Sequence, residues 1–186
     1  MTRAPLDWTS LLLTQLTWHW DAQLRPRLEG LTDEEYHWRP AADSWSLVRE
    51  GEGDAPMAVG AGEWKLEFGI PEPEPAPVTT IAWRLNHLLV GVFGERSASH
   101  FGGPPVTYRT YDYPGTAADA LARLDEAQAF WRDGVAGLDD AALAAPCGED
   151  GFEQDPMAAL VLHIHREVIH HGAEIALLRD LYLRRG

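Results

Sequence analysis

MAALVLHIHREVIHHGAEIALLRDLYL, residues 157–183, contains no proline and one glycine, Gly172. At about 100° per residue, Met157, Val161, Ile164, Val168, Ile175 and Tyr182 gather on one face, with Leu160 and Leu178 at its edge. That spacing predicts a helix over about 155–183 with this face turned to a core. His171 falls about 25° and Glu167 about 65° from the centre of the face, so they form an i, i+4 pair aimed inward. His163, His165 and His170 fall at the margins, roughly 95–125° away, and Arg166 points outward. A buried carboxylate is costly unless something pairs it. Glu167 can accept a hydrogen bond from His171, or from an Arg or Trp across the core. Alternatively, a cation can sit between the carboxylate and the imidazole. The short Glu-x-x-x-His pattern leaves both open.

Three more helices are expected upstream. The first, about 8–28, has Leu12, Leu16, Trp20, Leu24 and Leu28 at i, i+4 spacing, Asp7 as its cap and Pro26 near its end. The second, about 79–100, is capped by Thr79 or Thr80 and stopped by Gly102-Gly103-Pro104-Pro105. The third, about 117–138, has Ala120, Leu124, Ala127, Trp131 and Val135 as its stripe and Thr116 as its cap. Between the first two lie a Thr32/Glu35 capping box and then Gly51, Gly53, Gly60, Gly62 and an alternating Pro-Glu run over 71–77. Residues 50–77 read as a long loop with at most short structure. No strand pair stands out. The expectation is an all-α four-helix bundle forming one domain over 1–186.

The second helix carries one histidine away from its ends, His87. It lies on the flank of Trp83, Gly91 and Gly94 rather than at the centre of the Ile81, Leu85, Leu88, Val92 stripe. The glycines leave room beside the imidazole, as a pocket needs. Two imidazoles and a carboxylate would leave one position of a tetrahedral ion open, the pattern of a catalytic zinc site.

Composition removes other options. The 186 residues carry 15 basic and 29 acidic side chains, a net charge of −14, and the only lysine is Lys65. Nucleic-acid binding relies on clustered basic residues and is not expected. Cys147 is the only cysteine, so no disulfide can form within the chain and a reducing compartment is the natural setting. No stretch approaches the roughly 20 apolar residues that cross a bilayer, so the expected location is the cytoplasm, without membrane association. Leu162, Ile169 and Leu177 on the outward side of the last helix point to a partner surface and a homodimer.

Three stretches carry a family resemblance. Residues 79–88 (TTIAWRLNHL) and 163–180 (HIHREVIHHGAEIALLRD) resemble the DinB-like (YfiT-like) superfamily. Trp38-Arg39-Pro40 to Ser44-Trp45-Ser46 resembles the loop after that family's first helix. The resemblance spans about residues 8 to 184. It implies an up-down-down-up four-helix bundle with a divalent metal held by three side chains. Many members use a His on the second helix and a His-x-x-x-His pair on the last. Here the residue four before His171 is Glu167, and the His, Glu, His set is similar to that of the mycothiol-dependent maleylpyruvate isomerase branch. Carried over, the ligands are His87, Glu167 and His171. A register that makes His170 the ligand would leave Arg166, which cannot ligate, as a lost one, giving a metal-free bundle. His163 is a further candidate.

The resemblance implies thiol chemistry: an S-transferase, thiol-dependent isomerase or detoxifying enzyme. Zinc, or nickel as the alternative, would hold a low-molecular-weight thiol such as mycothiol as the thiolate, which attacks an electrophile. Glu174 is the candidate base, and Arg84 or Arg179 the candidate anchor for a carboxylate. Trp18, Trp20, Trp38, Trp45 and Trp83 are candidate pocket walls. The competing reading is a non-catalytic or degenerate bundle serving as a stress-response binding or dimerisation module.

Overall fold

A computed structural model describes residues 6–185. Four long helices form the frame. Helix α1 covers residues 8–27 as an α segment Trp8–His19, a π turn Trp20–Leu24 and a closing turn Arg25–Arg27. Pro26 has no N–H to offer the carbonyl four residues back, and its ring crowds that carbonyl. The wider turn just before it relieves both conflicts, and Arg25 N–H bonds to the Trp20 carbonyl instead. A short helix α2 follows over Asp33–Tyr36, and the Thr32/Glu35 capping box is formed. Helix α3 covers residues 81–101: Ile81–His87, a π segment Leu88–Gly94, and Glu95–Phe101, with Thr80 as the cap. Helix α4 is Ala117–Ala136, capped by Thr116. A short α5, Asp140–Ala144, precedes α6, Met157–Leu183.

Contacts fix the directions. The Thr9 hydroxyl donates to the Leu138 carbonyl at 2.7 Å, so the start of α1 meets the end of α4. Arg27 donates to the Ala176 carbonyl at 3.3 Å, so the ends of α1 and α6 lie together. Arg84 at the start of α3 pairs with Glu174 late in α6, and Phe101 at the end of α3 packs on Trp131 of α4 with ring centroids 5.2 Å apart. The four long helices therefore run up, down, down, up. The core between them includes Leu16, Trp20, Leu85, Leu88, Phe93, Leu124, Trp131, Ile164 and Val168.

The all-α expectation is corrected by a three-stranded antiparallel sheet, two of whose strands fall within the segment expected to be loop and the third just before it. Its strands are β1 Leu47–Arg49, β2 Met57–Val59 and β3 Trp64–Phe68, in the order β1-β3-β2. The register pairs Leu47 with Leu66 and Met57 with Phe68. The central strand, Trp64-Lys65-Leu66-Glu67-Phe68, alternates apolar and polar residues, which is the period of a strand. The sheet docks on the first turn of α3: Trp83 Nε1 donates to the Glu67 carbonyl at 2.8 Å, and Thr80 N–H to the Trp45 carbonyl at 2.9 Å. The Pro-Glu run over 71–77 lies outside the sheet, largely exposed. No helix among the described residues is long and apolar enough to cross a membrane.

Candidate metal centre

Opposed directions of α3 and α6 bring His87 against His171. Their ring centroids are 4.7 Å apart, with the ring planes at 84°. Glu167, one turn before His171, completes a group in which one ligand atom from each residue lies within 4.8 Å of the others. The His171 side chain is 11% exposed and that of Glu167 24%, so the cluster sits at the edge of the core with one side open.

Each imidazole is held through one nitrogen. His171 Nδ1 lies 2.8 Å from Glu174 Oε2 and 3.2 Å from Arg84 Nη1. The guanidinium already donates to that same oxygen, so the shorter contact is Nδ1–H donating to the carboxylate. His171 Nε2 then keeps a lone pair, and it faces Glu167 Oε2 at 3.5 Å. His87 Nδ1 is 2.5 Å from the Tyr108 hydroxyl, which leaves its Nε2 unengaged. Burial, reinforced by His171, Arg84 and Arg96, pushes the His87 imidazole down to about 3. Burial also lowers His171, against the opposing pull of Glu174. Both rings are neutral at pH 7, the form that ligates.

Glu167 is the least engaged member. Its nearest side-chain nitrogens are His171 Nε2 at 3.5 Å and His163 Nδ1 and Arg166 Nη2, each at 3.6 Å. All three exceed the usual hydrogen-bond range of about 2.7–3.2 Å. His163 and Arg166 also line a cavity of about 370 Å³ together with Arg96, Cys147, Phe152 and Leu160.

The structure brings together all three residues nominated as ligands. A second grouping, His170, His171 and Glu174, also meets the distance condition, but Glu174 is occupied by Arg84 and His171 Nδ1, and the His170 side chain is 60% exposed. His163 flanks Glu167 without joining the cluster. Arg84 and Glu174 pair with each other and with His171, and Arg179 pins the buried Glu35 at 3.2 Å. Of the five tryptophans nominated as pocket walls, Trp83 stacks on His87 at 5.4 Å. Trp20 and Trp45 lie in the core, Trp38 packs on Tyr182, and Trp18 faces outward.

Two features differ from the sequence reading. The space beside Gly91 is filled by the Tyr108 hydroxyl, which a Cβ at residue 91 would approach to 2.2 Å. Gly91 is thus a site for close approach rather than an empty pocket, and Tyr108 went unnominated; its only sequence trace is that glycine one turn after His87. His165, placed at the margin by the wheel, is buried at 5% exposure with Nε2 unpartnered. The flank on which it sits is covered by α1.

Fold and cluster together define an up-down-down-up helical bundle with a His/Glu group suited to a divalent metal. The DinB superfamily family model matches residues 15–175, and the chain belongs to that superfamily. No curated protein and no solved structure matches it.

Proposed function

We propose that the chain is a divalent-metal-dependent enzyme in which a low-molecular-weight thiol attacks an electrophile, in the manner of an S-transferase or thiol-dependent isomerase. His87, Glu167 and His171 would hold the ion, zinc in the first place and nickel as the alternative. The observation that carries this reading is the pairing of His171 Nδ1 with Glu174. A ligating histidine commonly donates its second nitrogen to a carboxylate, which fixes the tautomer and raises the basicity of the first. The donor set fits the group: two neutral imidazoles with free Nε2 atoms and a carboxylate without a hydrogen-bond partner. When bound, such an ion stabilises a thiolate at neutral pH.

The protein's own groups orient and exclude. The Tyr108 hydroxyl engages His87 Nδ1 at 2.5 Å and leaves Nε2 for the cluster. Arg84 offsets the charge of Glu174 and holds it on His171. With both groups committed in this way, they act here as positioning residues rather than as free base and substrate anchor. Trp83 covers one face of His87. The cavity lined by His163 and Arg166, which flank Glu167, offers a place for the thiol or the electrophile, and the Cys147 thiol in its wall donates to the Phe152 carbonyl at 3.4 Å.

Elemental analysis of the purified chain tests this. About one divalent ion per chain is expected, lost in Glu167→Ala and His171→Ala and retained in His170→Ala. Thiol consumption with a panel of electrophiles then tests the reaction. Absence of binding under saturating metal would favour the non-catalytic bundle.

A further inference from the structure

The sheet carries a cavity that shares no residue with the metal cluster. Its volume is about 540 Å³, within the roughly 300–1,000 Å³ of small-molecule sites. Such sites are usually lined by apolar side chains. Here four charged side chains, Lys65, Arg109, Glu50 and Glu52, stand against three aliphatic ones, and glycines make up the rest of the wall. Lys65 projects from the same face of β3 as Glu67. Its side chain is 14% exposed, and its ammonium donates to the Gly60 carbonyl at 2.9 Å. An ammonium has three donors. The nearest carboxylate is that of Glu50, 3.9 Å away on a side chain 86% exposed, and a pair so distant and so open contributes little. Withdrawing a cation from water without a close counter-charge is unfavourable. Arg109, exposed between α3 and α4, is also unmatched: none of the described residues pairs with it, although the chain carries 29 acidic side chains.

We infer that this cavity binds a free α-amino acid, with its carboxylate on Lys65 and Arg109 and its ammonium on Glu50 and Glu52. Charge decides between the occupants. A plain anion gains the two cations but meets both glutamates, in a chain of net charge −14. A plain cation gains the glutamates and meets Lys65 and Arg109. A neutral apolar molecule finds three aliphatic side chains and leaves all four charges unmatched. A zwitterion satisfies both pairs at once through charge-assisted hydrogen bonds, and it gives Lys65 the close carboxylate that the chain does not. The opposite charges of the wall are near enough for one head group: Glu50 lies 3.9 Å from Lys65, and an α-amino acid holds its carboxylate and ammonium on a single carbon. One side of the cavity is open to entry, since a Cβ at Gly51 would meet nothing within 4 Å. The remaining volume accepts a side chain, and the polar wall favours a polar one, an amide or a hydroxyl.

The test is isothermal titration calorimetry of the full chain as purified, with L-serine, L-asparagine and L-glutamine as probes. Saturable binding at millimolar concentration or below is expected, with L-glutamine or another of the three bound. N-acetyl-L-glutamine, which lacks the ammonium, and L-glutaminamide, which lacks the carboxylate, should each bind about tenfold or more weakly than L-glutamine. Arg109→Ala removes an exposed, unpaired group and leaves the circular dichroism intact, so a loss of about tenfold there reads the site alone. Lys65→Met should lose at least as much, and Lys65→Arg should recover part of it. Glu50→Gln combined with Glu52→Gln should weaken L-glutamine and strengthen N-acetyl-L-glutamine, a reversal that damage to the fold does not produce. Absence of saturable binding by all three amino acids overturns the inference. So does N-acetyl-L-glutamine or inorganic phosphate binding as tightly as L-glutamine, which would make this a plain anion site, and so does binding indifferent to Arg109→Ala. Amino-acid binding should survive chelation of any metal, and Arg109→Ala should leave metal content unchanged, so this site and the metal reading stand or fall independently.

Discussion

Two glutamates, Glu67 and Glu167, have opposite surroundings. Glu67, on β3, is 1% exposed, and its carboxylate accepts from Arg39 at 2.8 Å and from the backbone N–H groups of Ser46, Asp54 and Ala55 at 2.9, 3.1 and 3.3 Å. Gly53 makes the approach possible: it sits at a φ of +95°, and a Cβ there would come within 2.6 Å of Glu67 Oε1. Glu167, on α6, is partly open and has no charged neighbour nearer than 3.5 Å. A carboxylate that holds a fold together uses up its lone pairs within the protein. One whose lone pairs are left over, beside two neutral imidazoles, is available to something else.

The sharpest way to break this contrast is to remove each carboxylate in turn. Glu67→Ala strands the Arg39 guanidinium and three backbone donors, a loss of about 3–5 kcal/mol. For a chain of this length that lowers the melting midpoint by roughly 10 °C, measurable by calorimetry. Glu167→Gln should change that midpoint little but weaken metal binding by roughly a hundredfold or more, beyond the effect usual for groups that only support a ligand; competition with a chromogenic chelator reads this. If Glu167→Gln destabilised the metal-free chain as much as Glu67→Ala does, Glu167 would be structural and the contrast would fail.

The contrast also shows where sequence reading reached its limit. On α6 the apolar period is strong, so Glu167 and His171 project inward on a wheel without knowledge of any other element. The period of β3 is equally present in Trp64-Lys65-Leu66-Glu67-Phe68, yet the surrounding glycines and the Pro-Glu run read as loop. A strand of five residues has too few repeats to outweigh them. Its polar face is also buried at Glu67, against the usual rule, because the donors that satisfy it come from residues 39, 46, 54 and 55. Tyr108 lies in a segment without helix or strand and reaches His87 only because the chain folds back over Gly91. His165 was misplaced because a wheel centred on one core face takes no account of α1 packing on its flank.

A smaller effect separates the ligands from their support. Glu174→Ala frees His171 Nδ1 and leaves Arg84 without its acid, while Nε2 stays in place. Metal affinity should fall by about ten- to a hundredfold, less than for Glu167→Gln. Equal losses would mean that Glu174 ligates directly and that the second grouping, with His170, is the true one.

A slope with pH belongs to the helical side of the contrast. Burial pushes His165 down to about 4 and His87 to about 3, against about 6.5 in an unfolded chain. Both folded values are the lower ones. As pH drops through about 6.5, the unfolded chain takes up protons that the fold refuses, and stability is lost progressively toward pH 4; above pH 7 these groups contribute no slope. Melts of the metal-free chain from pH 7.5 to 5 should show a declining midpoint, and His165→Leu should flatten part of the decline by removing one of the depressed groups. His37 stacks on Trp64 at the start of β3 but is only half-buried, whereas the depressed histidines lie on α3 and α6, so hydrogen exchange at pH 5 should show protection lost from α3 and α6 before β3. Loss from β3 first would place the acid-sensitive group at the saturated carboxylate instead, and the distinction between the two glutamates would have to be redrawn.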